Sequence, residues 1–223
     1  VSIHFNQNAM VKRGARTQAA ASALGTFVFA SAGTFTSTIP SGATTAVIEV
    51  WGGGGSGSPA FYTGGCCCIT NRGNGGGAGG YSRTSVTVSA QAGKIFSLTV
   101  GSGGTGFIYP YASGQSGNAG TASSVSTAGF VFTTMTANGG SGGPTGSNTG
   151  GSGGTATGGT AANTSGGAGG AGQIGYYPAA QPGAGGTGVT GTNGGPYGGG
   201  TTGQAQYDNI LNGVNGAIII KYS

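Results

Sequence analysis

Thr44-Thr45-Ala46-Val47-Ile48-Glu49-Val50-Trp51-Gly52-Gly53-Gly54-Gly55 decides the fold, because an apolar strand runs there without a break into a glycine tract. Val47, Ile48, Val50 and Trp51 are strand-forming side chains, and Ile39-Pro40-Ser41-Gly42 supplies the turn that bounds them. Only Gly216-Ala217-Ile218-Ile219-Ile220-Lys221-Tyr222, at the other end of the chain, is of similar apolar strength. These two runs are expected to be neighbours in one sheet, tying both ends of a glycine-rich domain into a common core.

The pattern recurs between them. With 56 glycines in 223 residues and 4% charged residues, the core must be built from few segments. Such composition alone reads as disorder, but the net charge is only +5 and strand sequences interrupt the tracts. Strands are expected at Thr26 to Ala30, Thr34 to Ile39, Ala46 to Trp51, Tyr81 to Val88, Ile95 to Val100 and, paired or bent, Val125 to Met135. The short link through Ala92-Gly93-Lys94 makes Tyr81 to Val88 and Ile95 to Val100 a candidate hairpin. Residues 1–33 are poorer in glycine, and Gln18 to Leu24 tolerates a helix, so this segment reads as an arm for attachment or association preceding a 34–223 domain.

Inside the tracts, glycines fall three apart: Gly114, Gly117 and Gly120; Gly140, Gly143 and Gly146; Gly166, Gly169, Gly172 and Gly175; Gly185, Gly188, Gly191 and Gly194. A polyproline-II-type helix has about three residues per turn, so this spacing bares one edge of a rod at every turn and lets rods pack closely. Backbone amides then bond to neighbouring rods, which answers where so many polar groups find partners. A flexible spacer has a similar composition. Collagen is excluded by scarce proline and a broken period, and silk-like packing by the lack of stacked apolar side chains. The expected fold is mainly β with extensive irregular structure: a small sheet core or sandwich carrying packed polyglycine-II-like rods and loops.

The ordered elements resemble the glycine-rich domain at the ends of bacteriophage tail fibres and related virion appendages. Those elements are Phe35, Pro40-Ser41-Gly42, Val47 to Gly55, Gly79-Gly80-Tyr81-Ser82-Arg83, Leu98-Thr99-Val100-Gly101, Asn138-Gly139-Gly140 and Gly213 to Ile220. A looser resemblance is to the distal tail adhesins of T-even-like phages, in which glycine-rich rods present variable recognition loops. Residues 1–33 match neither. The resemblance implies a virion structural protein of fibre or spike type, often a homotrimer, that attaches to a bacterial surface receptor; residues 1–33, read above as an attachment arm, are then expected to join it to other virion proteins. Ice-binding or another structural polyglycine-II role is the alternative, and a capsid-associated protein with a basic arm is the third.

Catalysis needs converging titratable groups, and the inventory is short. Glu49 and Asp208 are the only acids, His4 is the only histidine, and Cys66, Cys67 and Cys68 are consecutive. Neighbouring Cα atoms lie about 3.8 Å apart, below the ~4.4 to 6.8 Å of a disulfide, and the lone histidine leaves no metal set. The expectation is no enzyme, no cofactor and no metal, with Glu49 and Asp208 in local hydrogen bonds or paired with Arg83 or Lys221. Lys12, Arg13 and Arg16 form the one basic cluster; without a stripe of bases or interleaved aromatics, nucleic acid is not the expected partner. No run approaches the ~18 apolar residues of a membrane span.

The aromatics in the glycine excursions are the candidate receptor-binding residues: Phe61, Tyr62, Tyr109, Tyr111, Tyr176, Tyr177 and Tyr197. Several adjoin Pro59, Pro110, Pro178 or Pro196, and stiffened rings contribute contact area at little entropic cost. The competing role is to plug gaps between rods that lack side chains of their own.

Overall fold

The computed structural model describes residues 24–62, 69–71, 73–107, 114–176, 183–193, 197–203 and 210–223. Apart from Leu24, the helix-tolerant stretch lies outside the described residues, as do His4, the basic cluster, Cys66 to Cys68 and Asp208.

Two antiparallel five-stranded sheets face each other. The first has the order β1 (Gly25–Phe29), β13 (Ala217–Tyr222), β3 (Thr45–Trp51), β6 (Tyr81–Thr87), β11 (Ala162–Thr164). The second has the order β10 (Ala156–Thr157), β9 (Met135–Ala137), β8 (Ser123–Ala128), β7 (Ile95–Val100), β2 (Gly33–Thr38). The two strongest apolar runs are neighbours as expected, with Ile218 opposite Val50 and Ile220 opposite Ile48. Val125 to Met135 resolves into the antiparallel pair β8 and β9.

Alternation places one side-chain set of each sheet in the core. β7 buries every second residue, Phe96, Leu98 and Val100, and β3 and β13 contribute Ala46, Ile48, Val50, Ile218, Ile220 and Tyr222 from across the gap. The other face of β3 and β13 is covered too: Trp51, Tyr81, Ala217 and Ile219 form a second cluster beneath Val189 and Tyr197. β3 is therefore buried on both faces along most of its length.

The expected hairpin does not form. β6 pairs with β3 and β11 in the first sheet, whereas β7 pairs with β2 and β8 in the second. Residues 88–94 make two successive turns, Gln91 N–H to Val88 O and Lys94 N–H to Gln91 O, and bond outward to Thr44 and Ile39. The link is an arch between sheets, held open by those outward bonds.

Beyond the sheets the long glycine tracts among the described residues run as rods, and their hydrogen bonds repeat every third residue. In the rod 52–58, the amides of Gly52, Gly55 and Ser58 donate to Gly80, Gly77 and Asn74 of one neighbour, while those of Gly53 and Ser56 donate to Thr121 and Asn118 of another. The rod 73–80 does the same toward three others: Gly75 and Ala78 to Gly170 and Gly167, Gly76 and Gly79 to Thr201 and Gly198, Gly77 and Gly80 to Ser141 and Asn138. Successive amides pointing to three different neighbours is the signature of a helix with about three residues per turn, here of the polyglycine-II kind.

The same bonds define a hexagonal bundle. Around 52–58 stand 73–80, 138–144, 117–122, 101–107, 210–216 and 198–203; around 73–80 stand 52–58, 138–144, 150–155, 166–172, 183–189 and 198–203. Two inner rods are thus enclosed by eight outer ones, in rows of three, four and three. Close approach demands glycine there. A Cβ on Gly77 would sit 2.0 Å from the Ser152 carbonyl oxygen, and one on Gly55 2.1 Å from that of Ser141. The outer rods 138–144 and 150–155 carry glycine at two positions in three, and their third residues, among them Asn138, Ser141, Ser152 and Thr155, face solvent.

Candidate functional site

The rods give the molecule two ends. Trp51, Gly80, Gly101 and Gly216 join them to the sheets, and the far end is reached at 62, 107, 176 and 203. There the chain also forms a three-stranded antiparallel sheet of β4 (Phe61–Tyr62), β5 (Ile69–Asn71) and β12 (Ile174–Tyr176), with β5 in the middle. Tyr62 is opposite Thr70 and Tyr176 opposite Ile69. Three of the candidate aromatics, Phe61, Tyr62 and Tyr176, thereby share one sheet. Tyr109, Tyr111 and Tyr177 lie outside the described residues.

One reversal at this end is fully described. Residues 145–149 join two outer rods, with Gly146 at φ 65, in the left-handed region that favours glycine. Asn74, buried at the end of an inner rod, fastens it: Nδ2 donates to Pro144 O at 2.6 Å and Ser147 O at 2.9 Å, and Oδ1 accepts from Gly172 N–H at 2.7 Å. Its backbone N–H and C=O are taken by Ser58 Oγ and Ser58 N–H. A single amide side chain so ties three rods and a turn together. Sequence reasoning missed it; the available signal was a lone Asn inside Gly73-Asn74-Gly75-Gly76-Gly77, where almost every other side chain is excluded.

Tyr197 belongs to the opposite end. Its ring meets Trp51 edge-on at 5.2 Å between centroids, and Trp51 in turn lies 5.0 Å from Tyr81. The Trp51 indole N–H donates to Val189 O at 2.6 Å. For this ring, filling the space above β3 is what the geometry provides.

Beside these rings lies Glu49, with no exposed surface. Its carboxylate is enclosed by neutral donors: Tyr81 O–H at 2.5 Å, Thr192 N–H at 2.7 Å, Thr192 O–H at 3.0 Å and Asn193 N–H at 2.9 Å. Burial opposes its ionisation, but these donors outweigh it and hold the carboxyl below its ordinary range. Tyr81 is pushed the other way, by burial first and by the carboxylate it bonds second. Although Arg83 is the cross-strand partner of Glu49, the four bonds are to Tyr81, Thr192 and Asn193, and the buried Arg83 Nε has no hydrogen-bond partner. Three of the four bonds clamp Thr192 and Asn193 onto β3 and the fourth ties in Tyr81 of β6, so the group acts as an anchor. Its identity as such was hidden in the sequence, because Thr192 and Asn193 lie more than a hundred positions away.

Among the described residues no cluster of His, Cys, Asp and Glu fits a metal ion, and no helix is long and apolar enough to cross a membrane. No curated protein matches the chain. A family model described as a glycine-rich domain matches residues 30–223. That match takes in all the rods and every strand but β1, and the chain belongs to this glycine-rich domain family.

Proposed function

We propose that the protein is a virion attachment protein of fibre or spike type, which binds a bacterial surface receptor without catalysis. Residues 1–33 join it to other virion proteins, and the far end of the rod bundle meets the cell. What supports this reading is polarity. Gly25 is paired with Tyr222, at the end of the sandwich remote from the rods, so the N-terminal segment enters there. Phe61, Tyr62 and Tyr176 are gathered in one sheet at the other extreme, past roughly three turns of rod. A rigid, nearly side-chain-free shaft between an attachment segment and an aromatic tip suits a spacer that presents contacts.

The test is adsorption of the protein to bacterial cells, measured with thermal unfolding for each variant. Phe61→Ala with Tyr62→Ala and Tyr176→Ala should reduce adsorption, chiefly through faster dissociation, at little cost in stability. Tyr197→Ala should do the reverse. If the tip variants adsorb like the parent, the reading fails.

One observation favours a second reading, an ice-binding polyglycine-II protein. The outer rods 117–122, 138–144 and 150–155 are bonded side by side in one row and expose Asn118, Thr121, Asn138, Ser141, Ser152 and Thr155. Inhibition of ice recrystallisation by the purified protein would select this reading over the first.

A further inference from the structure

The sandwich has two unlike sides. On one, its edges are the very short strands β10 and β11, of two and three residues, which touch each other across the gap. On the other, its edges are β1 and β2, of five and six residues, GTFVF and GTFTST. Neither contains a charge or a proline within the strand, devices by which proteins commonly blunt a free edge, and among the described residues no further strand pairs with either. Phe27 and Phe35, inside this opening, are only partly buried, although both pack on the main core. The same side carries exposed Leu24 and Val28, at 54% and 52%, and continues along rod 210–216 with Leu211 at 72% and Val214 at 48%. These are four of the six exposed large hydrophobic residues among those described.

We infer that this side is the interface with a second copy of the chain, related by a two-fold axis parallel to the rods. The strand directions make the edge self-complementary. β1 runs toward the rods, since Gly25 pairs with Tyr222 and Phe29 with Ile218; β2 runs away from them, since Gly33 pairs with Val100 and Thr38 with Ile95. A two-fold rotation about the long axis brings β1 of one copy against β2 of the other, antiparallel, and β2 against β1 in the same operation. Each sheet of one copy is then continued by the opposite sheet of its partner, and both open edges close together. Strands of five and six residues match in length, and the residues brought across are Thr, Val and Phe, favourable cross-strand partners with no like charges to repel. Both copies keep their rod tips pointing the same way.

Analytical ultracentrifugation of the full chain over a wide concentration range tests the inference. The expected mass is twice the 20.9 kDa of one chain. Val28→Lys with Thr34→Lys, both exposed positions, should return it to that of a single chain while cooperative thermal unfolding persists. Val131→Lys, at the 99% exposed tip of the β8–β9 link, should leave the doubled mass unchanged. Hydrogen exchange on the unmodified protein gives a second readout: amides of residues 25–29 and 33–38 should exchange as slowly as those of central β7. A single-chain mass at every concentration, a three-chain mass, or a doubled mass that survives both lysines would each overturn the proposal.

Discussion

Ile48 and Gly77 are both fully enclosed, and opposite means enclose them. Around Ile48 the interior is made of side chains, interleaved from two sheets as in any sandwich. Around Gly77 it is made of backbone: its amide bonds Ser141 O, its carbonyl accepts from Gly55, and the space where a side chain would stand holds the Ser152 carbonyl. The sandwich is stabilised mainly by removal of apolar surface from water, the bundle by pairing of peptide groups from rod to rod. A carbonyl has no rotamers with which to make room, so the two interiors should answer mutation in opposite ways.

The largest effect is therefore expected from the smallest chemical change. Gly77→Ala adds one methyl whose carbon would lie 2.0 Å from Ser152 O and 2.4 Å from its carbonyl carbon. Accommodating it means moving an outer rod and breaking its ladder, a loss above about 4 kcal/mol that should abolish the cooperative thermal transition. Ile48→Ala, which deletes far more volume, should cost about 2 to 5 kcal/mol and leave a lowered but cooperative transition. If Gly77→Ala unfolds near the parent temperature while Ile48→Ala does not, the backbone interior has been misread.

Next comes the joint between the two regions. Glu49→Gln replaces one carboxylate oxygen with an NH2, which must face either Asn193 N–H or the donors of Tyr81 and Thr192, at a cost of about 2 to 3 kcal/mol. The parent should lose the same contribution in acid. Because folded Glu49 releases its proton more readily than the unfolded chain does, its contribution is complete above the ordinary glutamate range near about 4.3 and disappears as pH falls through the folded value. Thermal melts of parent and Glu49→Gln should converge below that range; a constant gap would mean that the carboxylate charge is not what the clamp uses. Tyr222 sharpens the alkaline side. Burial raises its hydroxyl to about 12, while the 2.8 Å bond with Ser37 works against that rise. Its contribution is then full below about 10 and is lost as pH climbs toward 12. Tyr222→Phe should cost about 1 kcal/mol at neutral pH and remove part of the alkaline destabilisation.

The two regions also differ in how far they can be read in advance. Strands announce themselves through local chemistry, so Thr45–Trp51, Ile95–Val100 and Ala217–Tyr222 are legible from β-branched and aromatic residues alone. The rod period is legible for a related reason: Gly140 and Gly143 face inner rods at successive turns and both must lack a side chain. What is not local is not legible. Nothing within Tyr81 to Val100 says that its two strands enter different sheets, because that depends on bonds to Ile39 and Thr44. The same holds for Glu49 and Asn74, whose partners are fixed by the bundle, and for Tyr197, whose proline neighbour made it look like a tip residue. A clue to inner rods was present in density: Gly52 to Gly55 run without a spare position, while Gly139-Gly140-Ser141-Gly142-Gly143 leaves every third one free.

That last distinction yields the smallest expected effect and the narrowest test. Ser141 stands on an outer rod with its hydroxyl 2.9 Å from that of Ser152 on the next, in solvent. Exposed hydrogen bonds compete with water, so Ser141→Ala should change stability by no more than about 0.5 kcal/mol. One residue earlier on the same rod, the added carbon of Gly140→Ala would sit 2.1 Å from Gly77 O, and that variant should fail as Gly77→Ala does. Identical methyl groups one position apart thus separate a surface from an interior that contains no side chains. Thr187→Val against Gly188→Val repeats the comparison on a second rod, where the added carbon at 188 would meet Tyr197 O at 2.3 Å. Equal melting temperatures within either pair would mean that the rods are spaced widely enough to admit side chains, and the three-residue register would then have no packing role to explain it.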